Sequence, residues 1–286
     1  MFRLGSRVFG DGDYAIMAIV NRTPDSFFDK GATFAEDAAL RAVETAVTDG
    51  ADIIDVGGVK AGPGAIVDPA EELRRSVPTV AAVRARFPDV LISIDTWRAE
   101  VAREAVAVGA DLINDTWAGA DPELAAVAAE TGAGLVCSHA GGLDPRTRPH
   151  RIAFGDPVTD VVTTVTGLAE RAVALGVRRD GVLIDPAHDF GKNTRHSLAI
   201  TRRLGELVAT GWPVLVALSN KDFIGETLDV PVDQRLEGTL AATAVSAWLG
   251  ARVFRAHQVG PTRRVLDMVA AIHGDRQPAV SRRGLA

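Results

Sequence analysis

Four apolar runs in this chain end on an acid or an amide: Ile53-Ile54-Asp55, Leu91-Ile92-Ser93-Ile94-Asp95, Leu112-Ile113-Asn114-Asp115 and Leu183-Ile184-Asp185. The last is followed by Pro186, which forbids the run from continuing as a strand. One such residue is ordinarily a turn former, but four at the ends of buried-strand patterns point to several strand ends converging on one polar site. Other apolar runs lead into Asn21, into Ser219-Asn220-Lys221-Asp222, and into Arg255 and His257. Carboxylates and amides offer paired donors and acceptors to a planar, amide-like ring, whereas Lys, Arg and His suit an anion. The expected site therefore has a deep polar group of Asp95, Asn114, Asp185 and Lys221 and an anion corner of Asn21, Arg255 and His257. Arg255 and His257 lie two apart, so a strand directs both to one side. Ser219 has no His and Asp partners by spacing, and the six histidines form no i,i+4 pair, so neither a nucleophile nor a built-in metal site is expected.

Positioning these residues requires short apolar strands alternating with longer Ala-rich helices. Strands are predicted over 15–20, 52–56, 90–95, 112–114, 134–138, 182–185, 214–218 and 252–256. Helices are predicted over 35–49, 70–86, 99–108, 122–131, 158–175, 194–209, 234–249 and 262–273, with Gly50, Gly109, Gly132, Gly176, Gly211 and Gly250 where helix ends belong. Eight strand–helix units in 286 residues most simply close into a single (β/α)₈ TIM barrel, an α/β fold with its site at the C-terminal ends of the strands. An open doubly wound sheet competes, but no Gly-x-Gly-x-x-Gly follows the first strand. One domain over 1–275 and a C-terminal tail over 276–286 are expected.

Composition narrows the class of function. A formal charge of −6 gives no footprint for nucleic acid or an anionic membrane, and 24% charged residues describe an ordinary globular chain. No apolar run approaches the roughly 18 residues of a membrane span, and the start lacks the apolar core of a signal peptide. The single cysteine, Cys137, lies in an apolar run and reads as a buried inert thiol, which fits a reducing cytoplasm.

Taken together and in order, the strand-end motifs resemble dihydropteroate synthase, a pterin-binding TIM barrel, over nearly the full length. The matching blocks are Asn21 with Thr23-Pro24-Asp25-Ser26-Phe27 and Asp29, then Asp55-Val56-Gly57-Gly58 with Pro63-Gly64. Ser93-Ile94-Asp95-Thr96, Ile113-Asn114-Asp115, Asp185-Pro186 with Phe190-Gly191-Lys192, and Lys221 with Phe223-Ile224-Gly225 follow, before Gly238-Thr239 and Arg255 with His257. The resemblance implies a reaction joining 6-hydroxymethyl-7,8-dihydropterin pyrophosphate to p-aminobenzoate, giving dihydropteroate for folate biosynthesis, in a cytoplasmic homodimer. It implies pterin binding by Asp95, Asn114, Asp185 and Lys221, with Asp95 and Lys221 as catalytic candidates. By the same resemblance Asn21, Arg255 and His257 hold pyrophosphate, with Mg²⁺ at Asn21 only when that substrate is bound, and Phe190 and Ser219 line the p-aminobenzoate side.

The departures from the family pattern lie in the loops. Between Gly-Gly and Pro-Gly the family usually has Glu-Ser-Thr-Arg, and this chain has Val59, Lys60, Ala61 and Gly62. The loop arginine is gone unless Lys60 or Arg22 substitutes. The family's Ser-Arg-Lys-Ser is here Ser219-Asn220-Lys221-Asp222, which sets an acid where the family receives the p-aminobenzoate carboxylate. Its Pro-Gly-Ile-Gly-Phe-Gly-Lys is here Pro186-Ala187-His188-Asp189-Phe190-Gly191-Lys192, and two lost glycines predict an altered backbone path. Met-His-Met is here Ser138-His139-Ala140, and Val-Ser-Gly-Gly is Thr116-Trp117-Ala118-Gly119. The leading expectation is a paralogue that lacks or nearly lacks synthase activity, retains part of the pterin and pyrophosphate pocket, and binds pterin-site ligands or p-aminobenzoate mimics of the sulfonamide type weakly. An active synthase with compensating loop residues, and a pterin-binding transferase with another acceptor, are the alternatives.

Overall fold

The computed structural model describes residues 1–24, 31–147 and 153–284. Asp25, Ser26, Phe27 and Asp29 of the first motif, His150 and the last two residues of the tail lie outside the described residues. A hairpin of β1 (Phe2–Leu4) and β2 (Arg7–Phe9) comes first. Eight parallel strands follow: β3 (Ala15–Asn21), β4 (Ile53–Gly57), β5 (Leu91–Asp95), β6 (Leu112–Asp115), β7 (Gly134–Ser138), β8 (Val182–Asp185), β9 (Leu215–Ala217) and β10 (Val253–Ala256). Their order is β8-β7-β6-β5-β4-β3-β10-β9. A parallel bridge from Ile184 to Val214, with the Ile184 N–H donating to the Pro213 carbonyl at 3.0 Å, joins the two edge strands and closes the barrel.

The helices fill the crossovers: α1 (Glu36–Thr48), α2 (Pro69–Arg86), α3 (Ala99–Ala107), α4 (Leu124–Thr131), α5 (Pro157–Ala174), α6 (Thr194–Arg202), α7 (Leu204–Val208), α8 (Asp222–Leu228), α9 (Leu236–Trp248) and α10 (Val259–His273). Local chemistry starts several of them. Asp68 and Asp156 cap α2 and α5 ahead of Pro69 and Pro157, and Asn193 with His196 forms a capping box on α6. The helix predicted over 194–209 is two helices. At Arg203 the backbone leaves helical geometry while its guanidinium reaches Asp156 at 2.9 Å, and Gly205 weakens continuation. The short α8 was not predicted, because seven residues interrupted by Gly225 are too few for helical periodicity to register.

Alternation with period two builds both faces of the barrel. Outward residues such as Ile16, Ile54, Ile92, Ile113, Leu135, Ile184, Val216 and Phe254 pack under the helices. Inward residues, one from each barrel strand, form an apolar plug: Met17, Ile53, Leu91, Leu112, Val136, Leu183, Leu215 and Val253. The hairpin, absent from the predicted elements, closes the N-terminal end of this plug with Phe2, Leu4 and Phe9, and the Phe2 and Phe9 rings stack at 4.6 Å. Beyond α10, residues 275–284 are exposed and carry no helix or strand.

Candidate functional site

Two residues above the plug on the same inward register, the sequence turns polar. Asp55 follows Ile53, Ser93 follows Leu91, Asn114 follows Leu112, Ser138 follows Val136, Asp185 follows Leu183 and Arg255 follows Val253. A strand that keeps its period must therefore bring these groups to one layer at the C-terminal mouth, with Asp95 one step higher on β5.

Arg255 organises the layer. Its Nε donates to Asp55 Oδ2 at 2.6 Å and its Nη2 to Asp95 Oδ2 at 2.8 Å. Asn114 Nδ2 reaches the Asp55 carboxylate at 3.3 and 3.4 Å, and Thr116 Oγ1 donates to Asp95 Oδ1 at 2.9 Å. Asp55 is fully buried, and Arg255 is its ion-pair partner. Burial pushes the Asp95 carboxyl up to about 7 against the opposing influence of Arg255, with neighbouring Asp55 adding to the rise. The Arg255 guanidinium lies above its ordinary range: Asp55 and Asp95 outweigh the largest single influence, burial, which lowers it. Thus the expected floor and anion corner meet in one ion-paired network.

Asp185 accepts the Ala187 N–H at 2.7 Å, and its carboxyl is raised by burial against the charges of Lys221, Lys192 and Arg255. Lys221 donates to the His188 carbonyl and lies 4.9 Å from the centre of the Phe190 ring. Burial lowers its ammonium pKa, and Asp189 and Asp185 oppose that shift. The turn at 188–190 thus collars the lysine. Phe190 also meets Trp117 edge-on at 5.5 Å.

The turn after β8 holds residues other than glycine in a conformation that glycine adopts most readily. Ala187 and Asp189 both lie in the left-handed region, at φ 47° and 68°, as does Asn220 at 56°. Each of these residues carries strain on the order of 1–2 kcal/mol. Gly191 (φ 59°) cannot be replaced in the same way, because a Cβ there would lie 2.5 Å from the Ala140 carbonyl oxygen.

Asp189 compensates part of that strain with hydrogen bonds. Its Oδ2 accepts the Phe223 N–H at 3.2 Å at the start of α8, and its Oδ1 accepts the Ser197 hydroxyl at 3.0 Å. Asp222, the first residue of α8, pairs with Arg235 at 2.9 Å. Two carboxylates therefore stand at one helix start.

At the other expected corner, His257 Nδ1 lies 3.0 Å from Ser219 Oγ, which also contacts Gln258 at 3.3 Å. Burial, with Arg255 and Lys221 nearby, lowers the His257 imidazole to about 3, so it is neutral at pH 7 and acts as a hydrogen-bonding group. The Asn21 side-chain oxygen lies above Gly57, 3.8 Å from where a Cβ would stand, and the Asp95 carboxylate lies beside it. Arg22 is committed elsewhere: it donates to the Arg75 and Thr33 carbonyls, each at 3.2 Å, and to that of Phe34, clamping the first loop to α2.

Strand-end reasoning passed over some of the most buried ionisable groups. Asp55 was visible as a strand-end acid, and its offset from Ile53 equals that of Asn114 from Leu112. Lys192 donates to the His139, Ala187 and Phe190 carbonyls at 3.0, 3.1 and 2.7 Å, tying the β7 loop to the β8 loop; burial lowers it to about 7. Glu72 on α2 is fully buried and held by Thr96 at 2.7 Å and by Arg98. Nothing in local spacing marks the last two. Asp115, by contrast, is the turn former its position suggests, accepting the Trp117 and Gly119 N–H groups at 2.9 and 2.6 Å.

Residues 17–257 match the family described as pterin binding enzyme. The inactive dihydropteroate synthase 2 of Mycobacterium tuberculosis is 63% identical over 280 residues, covering 96% of this chain and 88% of that protein. The dihydropteroate synthase of Haemophilus influenzae is 39% identical over 254 residues, 88% of this chain and 92% of that one. Among solved structures, Yersinia pestis dihydropteroate synthase in a sulfonamide drug complex superposes with a TM-score of 0.90 at 34% identity, covering 96% of this chain and 99% of its own.

Proposed function

The chain belongs to the pterin-binding enzyme family, and we propose that within it the protein is a dihydropteroate synthase homologue that lacks or nearly lacks synthase turnover while keeping part of the pterin pocket. The observation that carries this reading is the pair of carboxylates at the start of α8. Asp189 already accepts the Phe223 N–H, and Asp222 stands one residue before it. An incoming p-aminobenzoate carboxylate meets like charge there, which weakens binding by about 1–3 kcal/mol, or roughly five- to 150-fold.

The donor side supports the same conclusion. Arg255, the cation available for a departing pyrophosphate, is neutralised by Asp55 and Asp95. His257 brings no charge at pH 7, and Val59 to Gly62 supply no arginine. Losing one transition-state donor of this kind costs a factor of about 10² to 10³. Asp95, Asn114, Asp185 and Lys221 remain as a pterin floor, Asn21, Arg255 and His257 as the pyrophosphate side, and Phe190 and Ser219 as the acceptor side. No group of three or more His, Cys, Asp or Glu suited to a metal occurs among the described residues. The neutral oxygen of Asn21 fits only a Mg²⁺ that arrives with pyrophosphate oxygens and keeps its waters.

The same reading makes the protein a homodimer of the cytoplasm, with one domain over 1–275 and a tail over 276–286. Val245 and Trp248 on α9 and Met268 and Ile272 on α10 are exposed, on two helices packed side by side, and form the apolar face for the second copy. No described helix is long and apolar enough to cross a membrane.

The deciding experiment offers purified protein the pterin pyrophosphate with Mg²⁺, with and without p-aminobenzoate. Dihydropteroate should not form above background, while calorimetry should detect weak binding of a pterin. Turnover at ordinary enzyme rates, or rescue of a synthase-deficient strain, overturns the reading.

A further inference from the structure

The Gly57-Gly58 pair where β4 ends admits close neighbours on both sides. A Cβ on Gly57 would stand 3.6 Å from that of Asp95, and one on Gly58 would stand 3.0 Å from Glu72 Cγ and 3.1 Å from the Glu72 carbonyl oxygen. The end of β4 is thus wedged between the polar layer and α2, and a side chain at 58 would push Glu72 away.

Glu72 lies in the first turn of α2 and is fully buried. The helix start does not need it, because Asp68 caps α2 by accepting the Glu71 N–H at 2.8 Å. Its carboxylate is held instead by the segment that leaves β5. The Thr96 hydroxyl, itself buried, donates to Oε1 at 2.7 Å, and Arg98 pairs with Oε2. The Arg98 N–H donates to Thr96 Oγ1 at 3.2 Å, and its Nη2 donates to the Val67 carbonyl at 2.7 Å, just ahead of α2. One carboxylate therefore fastens the residue next to Asp95 to the start of α2. A buried ion pair of this kind adds little stability that an apolar side chain would not, so its use lies in what it fixes.

We infer that Glu72 is a positioning residue for the polar layer, acting on Asp95 through Thr96 and through its own charge. The inference rests on the reading of Asp95 as part of a pterin floor. Its electrostatic part agrees with the state of Asp95: burial does most to raise that carboxyl to about 7, Arg255 opposes the rise, and Asp55 and Glu72 add to it.

The test uses the full chain. Carbon-13 carboxyl NMR, with the Asp95 signal identified by its loss in Asp95→Asn, follows the titration of that group without a ligand. Glu72→Gln keeps an oxygen for the Thr96 hydroxyl and removes the charge, so the Asp95 midpoint should fall by about 0.5–1 on the pH scale. A Glu72 that only braces the fold leaves the midpoint where it is, and that result overturns the inference. Thr96→Val removes the hydroxyl but keeps the shape of the side chain and the Glu72–Arg98 pair, so the chain still folds. Its affinity for 6-hydroxymethylpterin, read by calorimetry at pH 8, should be about fivefold weaker than that of the wild type, and Thr96→Ser should return it to within about twofold. Equal affinity in Thr96→Val and the wild type also overturns the inference. A wild-type chain that binds no pterin refutes the reading of the barrel mouth instead, and the titration alone then decides whether Glu72 acts on Asp95.

Discussion

Replacing Arg255 by methionine tests whether the polar layer is a single charge-balanced unit. Methionine keeps much of the stem and removes the guanidinium that bonds Asp55 at 2.6 Å and Asp95 at 2.8 Å. Asp55 is then left fully buried with only the 3.3 and 3.4 Å contacts to Asn114, and Asp95 with only Thr116. Removing one partner of a buried ion pair costs about 3–5 kcal/mol. At roughly 2 °C per kcal/mol for a chain of this size, the unfolding midpoint should fall by about 6–10 °C at pH 8.

The pH dependence identifies the cause. The Asp95 carboxyl already stands at about 7 in the folded protein, and Arg255 is the influence that holds it down. Without Arg255 it rises further, so the folded variant retains a proton that the unfolded chain has lost above about pH 4. A group whose folded pKa is raised adds stability that is fully present below the unfolded pKa and is lost as pH rises through the folded one. The deficit of the variant must therefore be largest at pH 8 and shrink towards pH 5. Urea unfolding followed by circular dichroism at the two pH values measures it, and Asp55→Asn combined with Arg255→Met should recover much of the loss. A deficit below about 1 kcal/mol, or one equal at both pH values, refutes the ion-paired layer.

Further outcomes follow from other parts of the molecule. Asp189→Gly with Asp222→Ser should tighten p-aminobenzoate binding by about tenfold in calorimetry, since it removes both carboxylates at the start of α8. His139 is buried beside Asp160 at 2.7 Å and is lowered by burial to about 4. Its contribution is present above the unfolded value near 6.5 and lost as pH falls through 4, so His139→Gln should flatten the acid side of the stability profile by up to about 3 kcal/mol. Phe2→Ala should cost about 3–5 kcal/mol of stability without changing any ligand affinity, because the plug lies at the end of the barrel opposite the mouth. Trp248→Glu with Met268→Glu should give a monomer in sedimentation equilibrium if α9 and α10 form the subunit contact.

What the sequence by itself determined is the barrel and the strand ends that carry its polar groups. Both faces of a parallel strand are buried, so each run is apolar, and a polar residue is tolerated only where the strand leaves the plug. That rule places Asp55, Asn114 and Asp185 at strand ends without reference to their partners, whereas Arg255 read as part of a separate anion corner and joined their layer only in the structure. The loop substitutions became visible only through the resemblance to the family, whose motifs stand at fixed offsets from the same strand ends. The three-residue strands of the hairpin escaped the strand rule, since they are too short to show a period and are held by contacts with the barrel bottom. Only the tertiary structure decided which charges neutralise one another. Arg255 is 200 residues from Asp55 and 160 from Asp95, and no local spacing specifies such pairs. The same holds for Lys192, whose three carbonyl acceptors come from two loops, and for Lys221, which the turn at 188–190 holds in place. Side-chain identity selects what a residue is able to pair with, and closure of the barrel selects which partner arrives.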